Sequence, residues 1–120
     1  MAQLKYAVVF AAYLILAACD RVPDLDAAMI ETILVDARLI LRNAPIGRME
    51  QSTWPESFAA ISPKSIRVTE QGLYIVTYSF FVEESGFFVA RDLAEFEWKE
   101  RGDPSFVPLR DELFEYHITG

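Results

Sequence analysis

Cysteine and histidine each occur once in this sequence, as Cys19 and His117. A single thiol closes no intrachain disulfide, and one thiol with one imidazole builds no metal site of the Cys/His kind. Glycine occurs five times and always alone, at positions 47, 72, 86, 102 and 120, so no Gly-rich loop is present to cradle a phosphate. Basic charge is short as well: eleven Lys and Arg stand against eighteen Asp and Glu, a net charge of −7. Nucleic-acid backbones are held by clustered cations, and here the cations are scattered among more numerous acids, which excludes a nucleic-acid partner. The same sign works against adsorption to anionic lipid. Catalytic signatures are missing too, since no serine has the Gly-x-Ser-x-Gly setting of a nucleophile elbow.

The N-terminus is the most informative segment. Met1 to Lys5 carries one positive charge, and Tyr6 to Ala18 is an unbroken apolar run of thirteen residues that stops at Asp20 and Arg21. Crossing a hydrocarbon core takes about 20 apolar residues, so the run has the length of a signal-peptide h-region instead. It ends in Leu16-Ala17-Ala18-Cys19. This tetrapeptide resembles the lipobox of bacterial lipoproteins at all four positions. The resemblance implies cleavage between Ala18 and Cys19, a diacylglycerol on Cys19, and a mature protein held in the membrane by acyl chains facing the periplasm. Asp20, directly after the cysteine, resembles the inner-membrane retention signal of that family. On this reading residues 1–18 are a cleaved signal peptide and residues 19–24 a short lipid tether, reaching at most about 18 Å between Cys19 and Leu25. Residues 25–120 form one domain. Losing the leader removes Lys5 and makes the mature chain more acidic.

Within that domain the patterning is helical first and alternating afterwards. Leu25, Met29, Ile30, Ile33, Leu34, Ala37, Ile40 and Leu41 recur at spacings of three and four, which predicts an amphipathic helix over 24–43. Asp24 or Asp26 is placed to cap it, Arg38 and Arg42 complement the dipole of its last turns, and Pro45 forbids continuation. Residues 44–64 are punctuated by Pro45, Gly47, Pro55 and Pro63 and read as a loop with at most one short helical turn. Strands are expected at 65–69, 73–82, 87–91 and 113–119, with a turn at Glu83-Glu84-Ser85-Gly86. The fold class is α+β: an N-terminal amphipathic helix packed on an antiparallel sheet of about four strands.

The long strand is apolar on both faces. Tyr74, Val76, Tyr78, Phe80 and Val82 alternate with Leu73, Ile75, Thr77, Ser79 and Phe81, and one helix covers only one face. The loop over 92–109 carries Phe96, Trp98 and Phe106, which either cover the second face or present a surface to a partner. These three aromatics are the candidate partner-binding residues. Carboxylates cluster at Glu95, Glu97, Glu100 and Asp103 and again at Asp111, Glu112 and Glu115. Paired carboxylates hydrolyse glycosides only when held roughly 5–10 Å apart in a cleft, and spacing along a chain does not establish that. They read as solvated, as does His117 beside Glu115.

A second resemblance spans much of the domain. Trp54-Pro55-Glu56-Ser57, Pro63-Lys64-Ser65-Ile66-Arg67-Val68, Gly72-Leu73-Tyr74-Ile75, Gly86-Phe87-Phe88-Val89 and Gly102-Asp103-Pro104-Ser105 look like a group of small uncharacterised proteobacterial proteins, some with lipoprotein leaders. No activity comes with it. The expectation is a membrane-anchored envelope protein without catalysis, cofactor or metal. It acts by binding another protein, in its most concrete form as an inhibitor or immunity protein of a basic target. The alternatives are a structural subunit of an envelope assembly and a carboxylate-based hydrolase.

Overall fold

The computed structural model describes residues 22–120. Ala18, Cys19 and Asp20, with the whole expected leader, lie outside the described residues. The helix α1 spans Ala27–Asn43, and of the two candidate caps Asp26 takes the role, its carboxylate accepting from Met29 N at 2.8 Å. The last turn is closed from outside the helix. The Arg91 guanidinium donates to the Leu41 carbonyl and also to the Thr69 and Glu70 carbonyls, so one side chain ties the helix end to a strand turn.

Six antiparallel strands follow, where about four were expected. They are β1 Gly47–Arg48, β2 Ser65–Val68, β3 Gly72–Phe80, β4 Glu83–Ala90, β5 Ser105–Arg110 and β6 Leu113–Ile118, in the order β1-β2-β3-β4-β6-β5. Between β1 and β2 the chain makes two 3₁₀ turns, Gln51–Thr53 and Glu56–Ile61. The two unexpected strands are both edges. β1 is two residues long, and β5 is interrupted by Pro108 and by a register shift before Arg110, so neither has the unbroken period that marks a strand in sequence. Part of the expected 92–109 loop is therefore sheet.

The turn after β3 also differs. Phe80 pairs with Glu83, so the reversal is the two-residue segment Phe81-Val82 and not Glu83 to Gly86. Glu83-Glu84-Ser85-Gly86 has turn-like composition, yet it continues β4 because its side chains find partners across the sheet. Glu84 meets Arg67 and Tyr116, Ser85 meets His117, and Gly86 lies where the backbone of β3 comes closest. A Cβ at Gly86 would fall 2.0 Å from the Ile75 carbonyl oxygen, which leaves no room for any other residue. At this point β3 is bulged between Val76 and Tyr78. Directly opposed residues share a face, so the bulge turns Tyr78 and Phe80 onto the side of Ser85 and Glu83, away from Tyr74 and Val76. The uniform alternation expected through 73–82 breaks there.

Each sheet face has its own core. Under the helix lie Ile66, Val68, Leu73, Ile75, Phe87, Val89 and Leu113, met by Ile33, Leu34, Ala37, Ile40 and Leu41 from α1 and by Phe58 and Ile61 from the second 3₁₀ turn. Val22 and Leu25 pack against this cluster as well, so the chain is already seated on the domain three residues after Cys19. The opposite face buries Tyr74, Phe88, Ala90, Phe106, Phe114 and Tyr116, with Phe96 packed on top. Both faces are covered, one by helices and the other by the segment between β4 and β5.

Candidate functional site

The segment from Arg91 to Pro104 leaves β4 at one end of the sheet and crosses the second face to reach the edge strand. It opens with a tight turn in which Asp92 does most of the bonding: its carboxylate accepts from Ala94 N at 3.1 Å and its carbonyl from Phe96 N at 3.0 Å. That turn aims Phe96 down onto the sheet. Its ring lies 4.7 Å from Phe88, 5.2 Å from Phe106 and 5.5 Å from Phe114, in tilted and edge-on arrangements. Two residues on, the ring of Trp98 sits 5.2 Å from Phe114, and Lys99 then accepts Phe106 N at 2.8 Å through its carbonyl.

The three aromatics named from sequence thus come together, with unequal access. Phe106 is 4% exposed and belongs to the core; it arrives on β5, whose inward face takes its side chain, and cannot serve as a surface anchor. Phe96 is half-buried, and Trp98 is 37% exposed. Two open clefts meet at Phe96. One, of about 300 Å³, is walled by Glu70, Asp92, Glu95 and Glu97 around Arg91. The other, of about 500 Å³, has Tyr74, Phe96, Trp98 and Phe106 as its apolar lining, with Lys99 and Arg101 on the rim. In the first the only cation is already engaged with three backbone carbonyls, so its carboxylates face the opening with little internal compensation. An aromatic floor beside a carboxylate wall suits a guanidinium or ammonium group, which can lie against the ring while its donors reach the acids.

Beyond these clefts the same face carries a closed polar network that sequence reading missed. Glu84 receives both terminal nitrogens of Arg67 at 2.9 and 2.8 Å and the Tyr116 hydroxyl at 2.8 Å. The Arg67 guanidinium lies 4.4 Å from the centre of the Tyr74 ring, and Tyr74 meets Tyr116 edge-on at 5.0 Å. Burial raises the Glu84 pKa, but Arg67 and Tyr116 together outweigh it and hold the carboxyl below its ordinary value. Burial first, and Glu84 second, push the Tyr116 hydroxyl far above the usual phenol range; burial also raises Tyr74. Both Glu84 oxygens are taken up within the network, by Arg67 and Tyr116, which fits a role in fixing strand register.

His117 is placed beside a serine and an acid, though not the acid expected. It stands opposite Ser85, whose hydroxyl is hydrogen-bonded to Nδ1, and its Nε2 lies 3.7 Å from Glu83 Oε1. A serine, a histidine and a glutamate in a row invite comparison with a hydrolase triad. Ser85 is 3% exposed within paired strands, so an acyl carbon cannot reach its oxygen without opening the sheet. Among the described residues no group of three or more His, Cys, Asp or Glu is arranged to hold a metal ion, and no helix is long and apolar enough to cross a membrane. Comparison with protein-family models, with curated proteins and with solved structures finds no match to this chain.

Proposed function

We propose that this chain is a lipid-anchored envelope protein, tethered through acylated Cys19, whose domain binds a basic segment of another protein without catalysing a reaction, as an inhibitor or immunity protein does. The observation that supports this reading is the pair of joined clefts at Phe96, with carboxylates of Glu70, Asp92, Glu95 and Glu97 on one side and the exposed ring of Trp98 on the other. A net charge of −7 adds long-range attraction for a basic partner, which accelerates encounter and is screened by salt. The seating of Val22 on the core, three residues after Cys19, would keep such a domain at the membrane surface.

A photo-cross-linking residue at position 93, exposed on the segment that carries Trp98 and outside the linings of both clefts, tests this in the intact envelope. The expected adduct is a basic protein whose cross-linking yield falls in the double variant Glu95→Gln/Glu97→Gln and with added salt, while the variant stays folded. Trp98→Ala should weaken the isolated complex by about 2 kcal/mol. Absence of an adduct, or adducts indifferent to both charge changes, would refute the proposal.

A further inference from the structure

The most exposed apolar feature of the domain lies outside the linings of both Phe96 clefts. At the β3–β4 reversal, Phe80, Phe81 and Val82 follow one another, with Phe81 90% exposed and the other two more than half exposed. Phe80 and Phe81 stack edge-on at 4.5 Å, forming one apolar knob. β2 ends opposite Val76, so the end of the β3–β4 ribbon projects past it. Phe81 has φ +56°, a backbone region that favours Gly or Asn in two-residue hairpins and is unfavourable for a bulky side chain. Local stability would replace this aromatic residue. Its ring covers nothing in the core.

We infer that the Phe80-Phe81-Val82 tip is a second membrane contact that inserts into the bilayer to which Cys19 is anchored; this rests on the lipid-anchor reading above. Two observations choose a bilayer over other occupants. Only Asp20 and Arg21 separate Cys19 from the seated Val22, a span of roughly 10 Å, so the domain is held against the headgroups whatever its orientation. A convex knob of three apolar side chains gains most from a soft apolar medium, whereas a protein partner would need a matching cavity. The base of the ribbon suits an interface: Lys64 Nζ lies 5.8 Å from the centre of the Tyr78 ring, and Tyr and Lys are side chains that keep a polar end at headgroup level while their apolar parts go deeper. The nearby acids are engaged, Glu84 by Arg67 and Tyr116, and Glu83 beside His117.

The test uses the lipidated mature chain reconstituted in phosphatidylethanolamine/phosphatidylglycerol vesicles. In that form Cys19 is blocked as a thioether, so Val82→Cys supplies the one free thiol for an environment-sensitive dye. Dye at 82 should shift to the blue and be quenched several-fold more by lipids brominated in the upper acyl chain than dye at Leu93→Cys, near the opposite end of the strands. Both signals should be lost when Phe80 and Phe81 are changed to Ser. In an unlipidated chain of residues 19–120 with Cys19→Ser, which lacks the apolar leader and keeps both cores, vesicle partitioning should be weak and should fall roughly tenfold on Phe81→Ser. A water-like dye at position 82 overturns the inference, as does equal partitioning of the two Cys19→Ser chains. A dimer that dissociates on Phe81→Ser assigns the tip to a second copy and overturns it too. Failure of the anchor reading is separate: it appears as the absence of diacylglycerol on Cys19 by mass spectrometry.

Discussion

Two phenylalanines seven positions apart should respond to truncation with opposite signs. Phe88 is fully buried at the hub of the second core, its ring 4.7 Å from Tyr74, 4.7 Å from Phe96 and 5.4 Å from Phe106. Cutting it to alanine leaves a cavity that rings held on β3, β5 and the covering segment fill only in part by relaxing, and buried Phe→Ala changes cost roughly 3–5 kcal/mol. Domains of this size are stable by only about 5–15 kcal/mol. With an unfolding entropy of roughly 0.2 kcal/mol/K for about 100 residues, a loss near 4 kcal/mol lowers Tm by about 20 °C. Phe81 is 90% exposed and held at φ +56°, so Phe81→Gly gives up only the edge-on contact with the exposed Phe80 ring and relieves backbone strain; it should raise stability by about 0.5–1 kcal/mol. Urea titration followed by circular dichroism measures both, and m should stay constant if the change lies in the folded state. A loss below about 1.5 kcal/mol for Phe88→Ala would mean that the second core is not packed as described. A clear loss for Phe81→Gly would mean that the tip is supported by contacts within the domain.

Three further outcomes are expected. The Glu84 carboxyl is held below its ordinary value when folded, so its contribution is present above the unfolded carboxylate range and is lost as pH falls through the depressed folded value; Glu84→Gln should flatten the acid limb of a Tm–pH profile and cost about 1 kcal/mol at pH 7. Tyr74 and Tyr116 are shifted the other way, so their contribution is complete below about pH 10 and lost as pH rises further; phenolate absorbance should show them ionising only as the protein unfolds, and reversible titration of both in the folded state would contradict the network. Cys19→Ala should abolish labelling by radioactive fatty acid and leave the precursor uncut at Ala18, whereas normal processing of that variant would remove the basis of the lipid anchor.

What the sequence determined by itself is what depends on neighbours along the chain. The three-and-four spacing from Leu25 to Leu41, with Asp26 before it and Pro45 after, specifies a helix because its hydrogen bonds close within four residues and its caps lie at its own ends. The β-branched and aromatic runs at Ser65–Val68, Gly72–Phe80 and Leu113–Ile118 likewise declare themselves, and the excess of apolar faces over helices left two outcomes for the second face, cover by the 92–109 segment or a partner surface, of which the structure shows cover by Phe96 and Phe106. Tertiary structure decided the rest. Whether Glu83 to Gly86 turns or extends depends on Arg67 and His117, which are brought alongside only by the sheet, and on the bulge in β3 that needs a glycine opposite it. β5 is a strand because β6 offers it hydrogen bonds, despite Pro108. Phe106 is core while Trp98 stays partly open because one lies on an inward strand position and the other on the covering segment. The acidic cleft at Phe96 joins Glu70 to Glu95 and Glu97 across a gap in sequence, and the apolar tip exists because the reversal fell at Phe81. Register, pairing and exposure are relations between distant segments, and a side-chain period of two cannot specify which partner a strand will meet.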